Sequence, residues 1–525
     1  MKFKHLHFLC YIMLTALLAV GCSSNADDSN KGGESAEGQK NYADKIDIAI
    51  TAQPPTLDAA ITVSQASLDI SRNIFETLVT LDENYEPVPM LAESIDTSDD
   101  GKTYTFHLRE GIKFHNDDEM TSEDVVASMN RWLEKSPKAK ELLKDAKFEA
   151  EDTYTAVLTL PKNYSDVLIM MASQAQFPAI MPKEIIDSAD AEGVKEYIGT
   201  GPYKFEEWKQ DQYIHVTKYD DYQAVDEEAS GVAGKKEAFI KDVYYHFVTD
   251  HSTRIAGIQT GEYDLANSIP IENYEQLQSA NNIEVQDFKG GTLTLFYNTN
   301  EGSLADVKMR QAIQTGLEMD EIMLGAFANE DLYSLNPAYM NPDQTQWETE
   351  AGQDNYNQGD VEKAKDLLKE AGYDGEEITL LTTSDYNEMY SATLVVQEQL
   401  RQLGMKVKVE NFDFPTFLEK KNDPSQWDIF ITSNGYPLTP PQLLALTKDW
   451  AGVDDSKITD LVSKIREAKT DEEASQHWDE LQGYLYEYLP STVIGHYNSL
   501  LATTDKLEGF TILDYPIIWN TKIAE

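Results

Sequence analysis

An α/β fold divided into two or three lobes is what this sequence predicts. A strand–helix–strand unit stands out in the C-terminal half. Ile378 to Leu381 reads as a strand, Met389 to Leu403 as a helix stopped at Gly404, and Met405, Val407 and Val409 alternate as a second strand. Strands joined through a helix are the unit of parallel sheets covered by helices on their faces. Length supplies the lobes: beyond a polar N-terminal stretch about 480 residues remain, too many for one hydrophobic core. Strand and helix patterns alternate along them with no internal repeat.

Taken in chain order, Ile46-Asp47-Ile48-Ala49-Ile50 alternates as a strand, and Gln53-Pro54-Pro55-Thr56 breaks it. Leu57-Asp58 leads toward a helical stretch carrying Ile70, Ile74, Leu78 and Val79. A hairpin follows, turning at Asp99-Asp100-Gly101, with Tyr104, Phe106 and Leu108 alternating against Thr103, Thr105 and His107. Gly101-Lys102-Thr103 is not a phosphate loop, because the glycine required five residues earlier is Asp96. Thr121-Ser122-Glu123-Asp124 has capping-box form, and Val125, Met129, Trp132 and Leu133 fall on one helical face. Asp360 caps a helix that turns Ala364, Leu367, Leu368 and Ala371 inward and ends at Gly372. Trp427 to Ile431 reads as a buried strand opening into Asn434-Gly435-Tyr436-Pro437. Ligands of open α/β sheets sit beyond the carboxyl ends of the strands.

The first residues are a leader. Lys2 and Lys4 precede the apolar run from Phe8 to Val20, which at roughly 13 residues is too short to span a bilayer and fits a secretory signal. Leu18-Ala19-Val20-Gly21-Cys22 resembles a bacterial lipobox, in which the cysteine is acylated and becomes the mature N-terminus; Ala19 departs from the usual leucine. A signal over residues 1–21 and a disordered polar tether over residues 22–44 are expected. Cys10 lies inside the signal, so the mature chain keeps only Cys22. That count excludes internal disulfides, structural zinc clusters and cysteine-based catalysis.

Charge and chemistry narrow the function. Lys and Arg number 43 against 92 Asp and Glu, a net charge of −49. Nucleic acid is excluded as a partner, because its binding needs cationic neutralisation of phosphates; flat docking on anionic lipid is disfavoured for the same reason. Of the histidines outside the leader (His107, His115, His215, His246, His251, His477 and His496), none forms an H-E-x-x-H pair, and no G-x-S-x-G elbow occurs. His107 and His115 flank the hairpin and read as surface residues. Neither a catalytic group nor a metal or cofactor site is expected, and the chain reads as a binder rather than an enzyme.

Seven blocks carry a family resemblance. LAESIDTSDDGKTYTFHLREGIKFHNDDEMTSEDV, from Leu91 to Val125, resembles the signature of family 5 extracellular solute-binding proteins, the dipeptide, oligopeptide, nickel and glutathione receptor group. PTLDAA at Pro55, IFETLVTLD at Ile74, IGTGPYKFEEW at Ile198, TRIAGIQTGEYDLA at Thr253, FYNTNEGSLADVKMRQAI at Phe296 and AKDLLKEAGYDG at Ala364 continue it in the family's order. The resemblance implies a two-lobed, periplasmic-binding-protein-like clamshell of type II, with an extra subdomain inserted in lobe I. It places lobe I at 45–290, lobe II at 291–493 and a return segment at 494–525. Glycines at the crossings, Gly290-Gly291 and Gly495, suit hinges. The implied function is capture of a small solute, peptide or peptide-like, by a monomeric lipid-anchored receptor on the extracytoplasmic face, which delivers it to the permease subunits of an ABC importer. A surface adhesin, a peptide sensor and a secreted hydrolase are the competing readings.

The expected ligand contacts are Gln53, Pro54 and Thr56 from the first loop, Asn434, Gly435, Tyr436 and Leu438 from the second lobe, and His496 at the return crossing. Gly199, Gly201 and Tyr203 read as a structural turn. In peptide-binding relatives a carboxylate after the strand matching Trp427 to Ile431 receives the peptide's α-amino group. Here Tyr436 stands at that place, and no acid occurs from Phe430 to Thr447. A free amine is therefore not the expected anchor.

Overall fold

A computed structural model describes residues 41–525 apart from 63, 191 and 192. The expected leader, Cys22 and the polar stretch to Lys40 lie outside them.

The strand–helix–strand unit forms where its periodicity places it. Glu377–Thr383 pairs in parallel with Lys406–Phe412, and the helix Asn387–Gln402 makes the crossover. Ile429–Asn434 runs parallel to Glu377–Thr383 on its other side. Ile378, Leu380, Ile429 and Ile431 are fully buried with Val396 and Leu400 of the crossover helix. In the other half, Lys45–Ile50 lies parallel between Asp242–Phe247 and Leu265–Ala266. Its core gathers residues from Ile46 to Leu265 and returns for Tyr515 to Ile523. Two lobes, each with its own helix-covered strands, result.

Two long antiparallel strands, Ile283–Tyr297 and Ser491–Thr504, belong to both lobes and merge their strands into one 11-stranded sheet. The crossings are therefore strands rather than loops. Their pairing is interrupted between Lys289 and Gly291 and again between Leu293 and Thr294. Such bulges bend and twist a ladder without ending it. Gly291 has φ +141, and a Cβ there would lie 1.8 Å from the carbonyl oxygen of Asn434. Only glycine lets the two backbones approach so closely.

The predicted hairpin belongs to a separate four-stranded sheet, Ala92–Thr97, Thr103–Leu108, Thr155–Thr159 and Lys147–Asp152. Tyr104, Phe106 and Leu108 point inward as the alternation requires. The capping box is formed: Asp124 accepts from the Thr121 backbone N–H at 2.8 Å at the start of Ser122–Lys135.

Two expectations change. The first helix stops at Ile74, and Val79 opens the short strand Val79–Leu81 after Leu78. Phe75 is extended, which delivers Glu76 to a buried cluster of Lys236 Nζ at 3.2 Å, Tyr222 Oη at 2.8 Å and Thr200 Oγ1 at 3.0 Å. A buried carboxylate needs those partners more than the helix needs another turn. His107 stays at the surface beside Asp96, but His115 does not. Its Nε2 donates to the Gly201 carbonyl at 2.9 Å, its Nδ1 accepts from the Gly199 N–H at 3.3 Å, and burial depresses its pKa to about 4. The Gly199–Gly201 turn is thus structural: a Cβ at either glycine would strike the backbone of 73–74 within 2.5 Å.

Candidate functional site: the cleft between the lobes

The loop leaving Ile429–Asn434 enters the space between the lobes. Asn434 ends the strand opposite Thr292, Gly435 is exposed, and Tyr436 reaches His496 on the long return strand. The Tyr436 hydroxyl lies 2.8 Å from His496 Nδ1, and the two rings stack with centroids 5.6 Å apart. His496 Nε2 lies 3.0 Å from the Ala338 carbonyl oxygen, which can only accept. Nε2 therefore carries the proton, and bare Nδ1 takes the hydrogen of Tyr436. Burial holds His496 neutral, with its pKa pushed down to about 4. The Tyr436 oxygen is left with free lone pairs and can accept a further hydrogen bond.

Facing this pair from the first lobe are Tyr85 and Asp514. The Tyr85 hydroxyl donates to Asp514 Oδ1 at 2.7 Å. Both residues adopt left-handed backbone, φ +64 and +57, a conformation that costs free energy outside glycine and recurs at functional sites. Burial, then Tyr497, Asp343 and Asp514, push the Tyr436 phenol well above its usual range. Asp343 is ion-paired to Lys289 at 3.3 Å. No acid occurs from Phe430 to Thr447, but Asp343 and Asp514 stand near Tyr436, brought from 93 and 78 residues away by the fold. No local motif could have revealed them.

The first-loop candidates are engaged within their own lobe. Gln53 Nε2 donates to Gln210 at 3.1 Å, and its Oε1 accepts from the Asp211 N–H at 2.7 Å. Pro54 is buried, and Thr56 Oγ1 accepts from the Asp58 N–H at 3.1 Å, shaping the turn. Leu438 crosses from the second-lobe loop to pack on the first lobe's core. Sequence reasoning missed Glu388, which sits just past the carboxyl end of Glu377–Thr383. Ser433 Oγ donates to it at 3.2 Å, and burial raises its pKa.

The lobes also meet through a buried ion pair. Arg466, on the helix Ser456–Glu467, grips Asp166 through Nε–Oδ2 at 2.9 Å and Nη2–Oδ1 at 3.1 Å, with side chains only 8% and 5% exposed. Tyr164 lies under the guanidinium at 4.0 Å, and the Ser165 N–H donates to the Arg466 carbonyl at 2.8 Å. Among the described residues no group of three or more His, Cys, Asp or Glu is placed to hold a metal. The arrangement offers hydrogen-bond acceptors, carboxylates and aromatic faces between the two lobes.

Comparison with known proteins agrees. The model of bacterial extracellular solute-binding proteins, family 5, matches residues 86–451, and the chain belongs to that family. It is 27% identical over 493 residues to the "probable peptide ABC transporter periplasmic-binding protein" y4tO of Sinorhizobium fredii, covering 89% of this chain and 91% of that one. It is 25% identical over 548 residues to the oligopeptide-binding protein AppA of Bacillus subtilis, covering 96% and 95%. Among solved structures, the binding protein AgaA of A. tumefaciens R10, in complex with agropinic acid, superposes with a TM-score of 0.78 at 25% identity over 92% of this chain and 99% of that one. No helix among the described residues is long and apolar enough to cross a membrane.

Proposed function

We propose that this chain is the solute-capturing lipoprotein of an ABC importer, monomeric and without catalytic activity, taking a peptide or peptide-like solute into the interlobe cleft. Lobe I comprises 45–290 and the return segment 494–525, and lobe II comprises 291–493. Cys22 carries the lipid that tethers the protein to the extracytoplasmic face of the membrane, and the closed form delivers its cargo to the permease. The observation that carries this reading is the polar set assembled from both lobes, Tyr436 and His496 across from Tyr85 and Asp514. The Tyr436 oxygen and Asp514 then receive N–H donors of the solute, so a charged amine regains an anchor that local sequence denies it. Names of relatives support the solute class, since y4tO and AppA are named for peptide and oligopeptide.

Mass spectrometry of small molecules released from the purified, denatured protein tests the reading. A stoichiometric peptide-like compound is the expected result, and a solute converted during incubation would replace the receptor by an enzyme. Cys22→Ala tests the anchor: the variant is expected in the medium, or unprocessed at higher mass. Retention at the membrane at normal mature size would remove the lipoprotein.

A further inference from the structure

The loop that carries Tyr436 continues to a second place where the lobes face each other. A cavity of about 170 Å³ lies there between the short helix Pro137–Leu142 and the segment 441–462. Lys138, Glu141 and Leu142 line one side, and Gln442, Leu446 and Val462 the other. The volume is comparable to the ~150 Å³ apolar cavity that accepts a benzene ring. Leu142 packs on the first lobe's core, while Leu446 and Val462 pack on a core of the second. Both lobes therefore supply the walls.

Two nitrogen donors in these walls lack an acceptor. Gln442 is 6% exposed, and its side-chain nitrogen makes no hydrogen bond. Lys138 is half-buried with no ion-pair partner among the described residues, and burial alone depresses its pKa. Glu141 is exposed. The hydroxyls of Thr447 and Thr459 already donate to the carbonyls of Leu444 and Asp455. A cation and an amide donor set among aliphatic side chains favour an acceptor that bears negative charge on a short hydrocarbon body.

We propose that this cavity is a recognition subsite for an aliphatic carboxylate, whose oxygens accept from Lys138 Nζ and Gln442 Nε2 while its hydrocarbon part packs on Leu142, Leu446 and Val462. The inference deepens the binding function proposed above and rests on it only for the source of the carboxylate, which is either the C-terminal end of the captured solute or a separate small acid. Because the walls come from both lobes, an occupant binds the closed arrangement better and shifts the population toward it.

Titration calorimetry with isovalerate and with isovaleramide, on the full mature chain stripped of co-purified solute, tests it. The acid is expected to bind at least about tenfold tighter than the amide, as befits a charged hydrogen bond. Lys138→Met should remove that preference and Gln442→Leu should weaken the acid. Lys140→Met, exposed on the same helix, should leave binding unchanged, and thermal melting identifies any variant that fails to fold. Competition separates the sources: displacement of isovalerate by the peptide Ala-Ala-Ala-Leu but not by its C-terminal amide assigns the subsite to the solute's end. Failure of both peptides to displace it assigns a separate acid. No binding of isovalerate, equal binding of acid and amide, or an undiminished preference in Lys138→Met overturns the subsite while leaving the receptor reading standing.

Discussion

Two of the structures through which the lobes meet are of opposite kind. At the hinge, two covalently continuous strands pair along almost their whole length, and a glycine and two bulges adjust their course. At the latch, a few side chains of Tyr164 to Asp166 and of Arg466 join surfaces that have no chain in common. In the closure proposed above, opening would bend the first and break the second. The hinge ladder would persist in both states and contribute to stability, whereas the latch charges, paired and dry only while the lobes touch, would set the closing equilibrium.

The largest effect expected from this contrast is at Arg466. Removing one partner of a buried pair costs about 3–5 kcal/mol when the other charge stays buried. Here Asp166 escapes that cost if the lobes part. Arg466→Ala should therefore enlarge the radius of gyration at a given solute concentration and weaken solute binding, yet leave the denaturation midpoint nearly unchanged. A large loss of stability with no change in radius would make the latch a piece of the fold instead. Asp166→Ala combined with Arg466→Met should recover much of the closed population.

On the hinge side, His496 links stability to pH. Its folded pKa is depressed to about 4, so its contribution is present above the unfolded value near 6.5 and is lost as pH falls through about 4, roughly 3 kcal/mol in all. Asp69 works in the opposite sense: burial pushes it up to about 6, so its contribution is lost as pH rises from about 4 to about 6. Denaturation of His496→Gln beside the parent isolates this histidine from His115, whose pKa is depressed alike, and the parent should lose about 2–3 kcal/mol more than the variant between about pH 7 and about pH 4.5. Parallel curves would mean that His496 titrates in the fold as it does in the unfolded chain.

Gly291→Ala should cost about 1–3 kcal/mol from its backbone conformation alone, with further loss from the approach of Asn434. Urea denaturation should register it, whereas the latch variant should pass the same test unharmed. The smallest effect is expected at Tyr436→Phe. It leaves His496 Nδ1 without its donor and the cleft without one acceptor, weakening solute binding by about fivefold to tenfold. An unchanged affinity would place the solute elsewhere.

Local pattern alone determined a good deal about this protein. The crossover 377–412, the hairpin facing Tyr104, Phe106 and Leu108 inward, and the caps at Thr121 and Asp360 form as read, because periodicity and capping are short-range effects. The blocks in family order likewise carried the clamshell. Where reading failed, a distant partner decided. Glu76 ends a helix to meet Lys236, and His115 turns inward to serve Gly199 and Gly201. The site shows the same division. Tyr436 and His496 were both expected from the family resemblance, but that the two meet across 60 residues, with acids from farther still beside them, is decided by the fold. Only the tertiary structure brings Asp514 beside Tyr85, or Lys138 opposite Gln442, because desolvation and charge depend on what surrounds a group in space rather than along the chain.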